Sequence, residues 1–247
     1  MLQRHKLISF CIGLVFLIVL QKFATPQPIF RFLLPAFLLY ALAVFFYNRW
    51  YLKQIQKYSI WASLRVMLLL AAAFGLFLII PTEGFRGLYL VITVGLISVG
   101  EIMLGKEGEN ILLNETLIIA FGLFLSFSAF YQYMPAFGVV YAVGIFVSAT
   151  LLARSFYELI PQTGYYKLVG SVALGLFSSE IFWALNFLPF HFSVQGVFLF
   201  NIFYLSLILN YYHQFHNLNL KKIQFHLLLI TVCSFVVLLF TPWNIIQ

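Results

Sequence analysis

Charged side chains are scarce in this sequence. Only 9% of its 247 residues are charged, and none of them is Asp. A soluble domain carries about a quarter charged residues, and a disordered chain combines high charge with low hydrophobicity. Because 63% of the residues are hydrophobic and the mean hydropathy is +1.01, both classes are excluded. The composition predicts a multi-pass membrane protein.

Cysteine pairs and catalytic motifs are also lacking. The two cysteines, Cys11 and Cys233, fall in apolar runs far apart in the chain, so their spacing predicts neither a disulfide nor a metal site. The chain has no Gly-x-Ser-x-Gly elbow, no His-Glu-x-x-His motif and no paired aspartates. We therefore predict that the protein is not an enzyme and has no cofactor.

Proline is missing from the middle of every apolar run. All eight prolines fall in connections or near a run's end, and Pro35 is the deepest. Many secondary transporters break helices at mid-membrane to expose backbone groups to substrate. That signal is absent here, although Gly95 and Gly175 could still unwind a helix. This weakens a carrier interpretation without excluding it.

Nine apolar stretches are long enough to approach a membrane span, which needs about 20 residues. We therefore predict an all-helical polytopic bundle of about nine transmembrane helices in a single domain, 1–247. Nine such spans leave no room for a soluble domain. The predicted spans are Leu7–Gln21, Phe30–Tyr47, Ala62–Ile80, Gly87–Leu104, Leu112–Gln132, Ala136–Ala153, Leu168–Phe187, Ser193–Tyr211 and Phe225–Phe240.

The basic residues predict the orientation of these spans. With the N-terminus cytoplasmic and the C-terminus outside, 11 of the 14 Lys and Arg residues fall in inner segments, as the positive-inside rule requires. The net charge of +7 is then an ordinary inner-face excess opposite anionic lipid. It needs no nucleic-acid partner, and we predict a prokaryotic-type cytoplasmic (inner) membrane.

One acidic residue lies deep in a predicted span. Glu180 is about 13 residues into the seventh span, or roughly 20 Å along it, and an ionisable residue at that depth marks a functional site by default. A hairpin of spans seven and eight would gather a polar intramembrane pocket on the outer side. Its predicted members are Glu180, Asn186, His191, Gln195 and Asn201. The alternative is a protonated Glu180 that holds a neighbouring helix by a hydrogen bond.

Three histidines near the eighth and ninth spans are weak metal candidates. His213 and His216 are three residues apart, and His226 lies across the following turn. Three imidazoles could hold zinc with an open fourth position, and a membrane enzyme acting on lipids would then be conceivable. Lys221 and Lys222 in the same connection disfavour a cation, so we predict no bound metal.

The longest inner connection is basic and amphipathic. Its spacing predicts a surface helix in the interface plane, with lipid contacts from Arg49, Trp50, Lys53, Lys57 and Trp61. The next inner connection carries four of the seven acidic residues, Glu101, Glu107, Glu109 and Glu115. These two segments are candidate docking surfaces for a partner.

Two functions fit this architecture. The first is a small carrier or permease-like protein, with Glu180 as the coupling acid and Asn186, Gln195 and Asn201 as polar contacts. The alternative is a non-catalytic membrane subunit or scaffold that docks partners through its cytoplasmic loops. The predicted partners are the lipid bilayer and either another membrane protein or a second copy of the chain.

Overall fold

The computed structural model describes residues 2–23, 30–54, 60–80, 83–103, 109–159, 164–214 and 220–240, and these residues contain no strand. Two short 3-10 turns, Pro135–Phe137 and Tyr157–Leu159, flank the sixth α-helix. In chain order, the α-helices of the described residues are α1 Leu2–Phe23, α2 Phe30–Gln54, α3 Ile60–Ile79, α4 Glu83–Met103, α5 Glu109–Tyr133, α6 Gly138–Phe156, α7 Gly164–Leu185, α8 Phe192–Gln214 and α9 Leu220–Phe240.

The predicted all-helical class is confirmed, and each predicted apolar stretch overlaps one of these helices. An apolar segment in lipid must satisfy its own backbone polar groups, which a helix does internally. Five helical segments of the described chain are long and apolar enough to cross a membrane, which is consistent with a membrane protein. They are Ile60–Ile79, Ile111–Tyr133, Pro135–Phe156, Gly164–Leu185 and Phe192–His213. The count of nine spans and the sides of the termini stay predictions.

The chain divides into two compact units, residues 1–111 and 112–247. In the first unit, α1 packs along α4, and a Cβ added at Gly13 would lie 2.7 Å from the Ser98 hydroxyl. The ring of Phe37 in α2 stacks on the ring of Phe74 in α3, with the two centroids 4.4 Å apart. The Tyr89 hydroxyl of α4 donates to the Ala73 carbonyl of α3 at 2.8 Å. Close packing and single interhelical hydrogen bonds therefore hold this unit together.

The second unit is built on a tight pairing of α6 with α7. A Cβ added at Gly175 would overlap the Thr150 side chain and lie 2.8 Å from the Phe146 carbonyl oxygen. A Cβ at Gly196 would lie 2.8 Å from the Leu125 Cα, so α5 and α8 also approach closely. Small residues allow such backbone approaches in membrane bundles. Helix α4 continues unbroken through Gly95, and helix α7 continues unbroken through Gly175.

Two predicted element ends differ from the structure. Helix α2 continues through Asn48 to Gln54, so this part of the basic segment extends a helix instead of starting a separate one. Helix α7 ends at Leu185, two residues before the predicted end of the seventh span. The Leu188 N–H bonds to the Leu185 carbonyl and closes a short turn ahead of Pro189, which cannot continue a helix.

Candidate binding cavity

A cavity of about 270 Å³ lies within the second unit. It is formed where α5 ends, at the turn Pro135–Phe137, and at the connection from α7 to α8. Under the predicted orientation, this end of the unit faces the outside. The lining residues are Tyr131, Gln132, Pro135, Asn186, Leu188, Pro189, Phe190 and Gln195.

Asn186 lies one residue beyond the end of α7. Its backbone N–H donates to the Phe182 carbonyl at 3.2 Å, which completes the last turn of the helix. Asn favours such turns because its short side chain tolerates their backbone conformations. The side-chain atoms Oδ1 and Nδ2 are both buried and have no hydrogen-bond partner among the described residues.

Gln195 lies near the start of α8 and is only 5% exposed. Its Nε2 donates to the Leu185 carbonyl at 3.2 Å and so satisfies one of the backbone acceptors that a helix end leaves open. Its Oε1 is buried and unpartnered in the described chain. The two amide side chains therefore leave three polar atoms unpaired among the residues that line the cavity.

Gln132 contributes to the same wall, and the sequence reasoning missed it. Its Oε1 accepts a hydrogen bond from the Phe192 backbone N–H at 3.0 Å, which joins the end of α5 to the first residue of α8. A polar amide one turn before Pro135, at the end of an apolar span, was the available signal. Nothing in the sequence showed that this span end meets the start of α8.

His191 lies immediately before α8 and is half-buried. Its Nδ1 is 2.8 Å from the Ser193 hydroxyl and 3.4 Å from the Ser193 backbone nitrogen. An imidazole nitrogen that accepts the Ser193 N–H caps the helix and carries no proton. Burial lowers the pKa of His191 below 6.5, which favours this neutral form.

Glu180 lies elsewhere on α7. The neighbouring Ser179 hydroxyl donates to the Ala142 carbonyl of α6 at 3.0 Å. Successive helical residues are about 100° apart, and Glu180 is exposed on the surface of the described chain. The exposed apolar residues Leu176, Phe177 and Trp183 lie on the same part of α7. Glu180 does not line the cavity.

Asn201 is also separate from the cavity. Its Nδ2 donates to the Ser234 hydroxyl of α9 at 2.8 Å, inside the bundle. Among the five predicted pocket residues, the structure brings Asn186 and Gln195 together at one cavity and places His191 in the adjoining turn. A pocket shared by all five residues stays a prediction.

The candidate metal ligands do not form a cluster in the described residues. The His226 Nδ1 lies 2.6 Å from the Tyr204 hydroxyl, and the His226 Nε2 lies 3.5 Å from the Tyr212 hydroxyl. His213 is exposed, and His216 lies outside the described residues. No group of three His, Cys, Asp or Glu side chains placed to hold a metal occurs in the ranges that the structure describes.

The predicted lipid-contact residues lie mostly at the end of α2 and the start of α3. Trp50 is 56% exposed and Lys53 is exposed in the last turn of α2. Arg49 and Trp61 are half-buried, and Lys57 lies outside the described residues. Their contact with lipid headgroups stays a prediction.

Comparisons with known proteins add no relative. No protein-family model matches this chain, and neither the curated proteins nor the solved structures contain a match. The arguments for a function therefore rest on the chain's own residues.

Proposed function

We propose that this protein is a small carrier or permease-like protein of the cytoplasmic membrane that binds its solute in the cavity at the α7–α8 connection. The observation that supports this proposal is the cavity itself, whose wall includes the amide residues Gln132, Asn186 and Gln195. The proposal includes nine spans with the N-terminus inside and the C-terminus outside, and no enzymatic activity.

Unpaired buried amides are costly in a protein that only needs to fold. Leaving a buried donor or acceptor unsatisfied costs about 1–3 kcal/mol, and native structures hold few such groups. Asn186 has two of them and Gln195 has one at the cavity, and hydroxyls elsewhere in the described residues, such as those of Ser63 and Thr116, are also without a partner. With Gln132, these two residues make part of the cavity wall polar, which suits a solute with hydrogen-bonding groups.

Transport can be tested with the purified full chain in proteoliposomes. We expect saturable uptake of at least one small solute from a radiolabelled panel that covers neutral, anionic and cationic compounds. In the Asn186→Leu variant, the rate of that uptake should fall at least about tenfold, because the apolar leucine side chain lacks both amide atoms.

The matched control is Asn114→Leu, which removes an exposed amide from α5. It should transport like the unmodified chain. A panel in which no solute enters faster than into protein-free liposomes would contradict the proposal.

A second candidate function is the non-catalytic membrane subunit. The observation that favours it is the position of Glu180, exposed on α7 beside Leu176 and Trp183. An ionisable residue on the lipid-facing surface of a span is costly and rare. A helix of a partner protein or of a second copy would cover this carboxyl and give it a hydrogen-bond donor.

The two candidates require different surroundings for Glu180. As a coupling acid it needs contact with water, whereas in a subunit contact it is dry. We would replace Cys11 and Cys233 with Ser, introduce Glu180→Cys, and apply a charged, impermeant thiol reagent to intact and inverted vesicles. Labelling from either side supports the carrier. Complete protection, with a reactive Leu188→Cys control, supports the subunit.

A further inference from the structure

Three charged residues meet at the end of α6, the turn Tyr157–Leu159 and the start of α7. Arg154, in the last turn of α6, forms an ion pair with Glu158, and its Nη1 lies 2.5 Å from Glu158 Oε1. Lys167, in the first turn of α7, donates from Nζ to the Glu158 carbonyl at 3.5 Å. Two positive side chains thus lie beside one negative side chain, so these three residues, the basic cluster, carry a net charge of +1.

Lys167 is placed to bind an anion at the membrane surface. The Cα–Cβ bonds of a helix tilt toward its N-terminus, so the side chain extends toward the start of α7, where a spanning helix leaves the hydrocarbon. An ammonium group has three donors, and the bond from Lys167 to the Glu158 carbonyl is long for an N–H donor. An anionic oxygen beside Lys167 would receive a shorter, charge-assisted hydrogen bond.

Exposed aromatic and apolar residues flank Lys167 in α7. Tyr165 and Tyr166 are exposed in the first turn, with their ring centroids 5.9 Å apart. Amphipathic rings of this kind are enriched at the level of lipid headgroups. The residues that follow Lys167, Leu168 and Val169, expose apolar side chains. Tyrosine rings and an ammonium group thus precede apolar side chains along α7, as the headgroup precedes the acyl chains in a phospholipid.

The charge of the basic cluster discriminates between phospholipids. The phosphodiester of every phospholipid is negative, but the quaternary ammonium group of phosphatidylcholine cancels that charge. Phosphatidylglycerol has no cation, so its headgroup stays negative and complements the +1 charge of the cluster. Basic residues close to anionic lipid are attracted to it over a distance of about one Debye length. The cluster therefore favours an anionic phospholipid.

We infer that the basic cluster and the first two turns of α7 bind an anionic phospholipid. Lys167 Nζ donates to the phosphate, and the rings of Tyr165 and Tyr166 lie at the level of the glycerol backbone. An acyl chain lies against Leu168 and Val169. The inference goes beyond the proposed function, because it concerns a lipid and requires only that the chain lies in a bilayer.

The experiment measures which lipid lies against Leu168. A fluorophore is attached to Leu168→Cys in a background with Cys11→Ser and Cys233→Ser, and the full chain is held in phosphatidylcholine nanodiscs. Phosphatidylglycerol or phosphatidylcholine with the same brominated, quenching acyl chains replaces about 10% of the lipid. We expect the phosphatidylglycerol to quench at least about twice as strongly as the phosphatidylcholine. A second reporter, Val140→Cys, is exposed near the start of α6, away from the cluster, and should be quenched equally by both lipids.

Two charge variants should change this preference in opposite directions. Lys167→Gln removes a positive charge and should lower the ratio of the two quenching values to about one. Glu158→Gln removes the negative charge beside Arg154 and should raise the ratio at least about 1.5-fold. A purely structural role of Lys167 and Glu158 gives no reason for binding to strengthen.

Two matched controls should leave the ratio unchanged. Lys167→Arg keeps the positive charge and the donors that a phosphate needs. His213→Gln changes an exposed side chain near the end of α8 and leaves the basic cluster intact.

Equal quenching of Leu168→Cys by the two lipids overturns the inference, as does a preference that persists in Lys167→Gln. If Lys167→Gln does not fold, an unchanged or weaker preference in Glu158→Gln overturns it. Soluble glycerol 3-phosphate at about 10 mM should leave the ratio unchanged, because it lacks acyl chains. A loss of the preference would mean that the cluster binds a free phosphate and no lipid. These results do not depend on uptake by proteoliposomes, so the inference and the carrier proposal fail separately.

Discussion

At the scale of single residues, His191 connects a titratable group to the candidate cavity. Its unprotonated Nδ1 faces the Ser193 hydroxyl and backbone N–H at the start of α8. Protonation would remove this acceptor and place a positive charge at a helix N-terminus, where the helix dipole disfavours it. Gln195 lies four residues further on, so the cap and the cavity share the first turn of α8.

The stability of the protein should therefore fall in mild acid. Burial lowers the folded-state pKa of His191 below 6.5, whereas the unfolded chain titrates near 6.5. The unfolded state then binds more protons as the pH falls through 6.5, so the stabilisation present above that pH is lost below it. We expect the thermal midpoint in detergent to fall between pH 7.5 and pH 5.5, and to fall less in His191→Gln.

The control for this prediction is His213→Gln, because His213 is an exposed histidine on α8. It should show the same acid dependence as the unmodified chain. An equal acid dependence in the chain with His191→Gln would mean that His191 does not contribute.

The sequence identified some of the chemistry at this scale and missed the rest. It singled out Asn186 and Gln195 because a hairpin of the seventh and eighth spans would gather them on the outer side. It did not separate them from Glu180, since whether a side chain faces a cavity or the outer surface depends on how α6 and α8 pack around α7. The hydrogen bond from Phe192 to Gln132 crosses 60 positions of the chain, and no local pattern predicts such a pair.

At the scale of elements, the pairing of α6 with α7 depends on a missing side chain. A Cβ at Gly175 would overlap the Thr150 side chain and press on the Phe146 carbonyl, which is backbone and cannot rotate away. The two helices would have to separate. From the sequence, Gly175 is a place where a helix could unwind, but in the structure it is a packing contact within a continuous helix.

We expect Gly175→Ala to lower the free energy of unfolding by about 1–3 kcal/mol, the usual cost of overpacking. The matched control is Gly95→Ala in α4, where an added Cβ would meet nothing within 4 Å. There the better helix propensity of Ala should leave stability unchanged or raise it by up to about 1 kcal/mol. Thermal unfolding of both variants in the same detergent measures the difference. Equal midpoints would contradict the packing role of Gly175.

Helix ends were harder to predict than helices. Helix α2 covers its predicted span and continues into the basic segment, whereas α7 ends at Leu185, two residues before the predicted end. Apolar composition determines which residues enter lipid, and helical hydrogen bonding can continue beyond them. The end of α7 depends on a local turn before Pro189. A hydropathy average over the segment does not detect such a turn.

At the scale of the whole molecule, the predicted membrane topology follows from charge and from the predicted number of spans. Helix α7 meets the length and hydropathy of a span by itself, so its two ends lie on opposite sides of the bilayer in any topology that includes it. Under the predicted nine-span topology, the positive-inside rule assigns the end preceding Gly164 to the inside and the end following Leu185 to the outside.

This topology can be tested with single cysteines in the background with Cys11→Ser and Cys233→Ser. In intact cells, an impermeant thiol reagent should label Leu188→Cys and leave Glu158→Cys unlabelled. In inverted vesicles the accessibility should reverse, because the reagent then reaches the cytoplasmic side. A C-terminal tag that is accessible in intact cells would support nine spans. Labelling of Glu158→Cys from outside would contradict the orientation.

The sequence alone determined the class of the protein and the positions of its helices. Scarce charge and long apolar runs leave lipid as the only suitable solvent, and a backbone in lipid must form helices because only they satisfy its polar groups locally. The tertiary structure alone decided which polar side chains share a cavity. Asn186, Gln195 and Gln132 line one cavity because α5 and α7 end where α8 begins, whereas Glu180 faces outward because its neighbour Ser179 bonds to α6. Such contacts arise from the rotation and close approach of each helix, which small residues distant in the chain control.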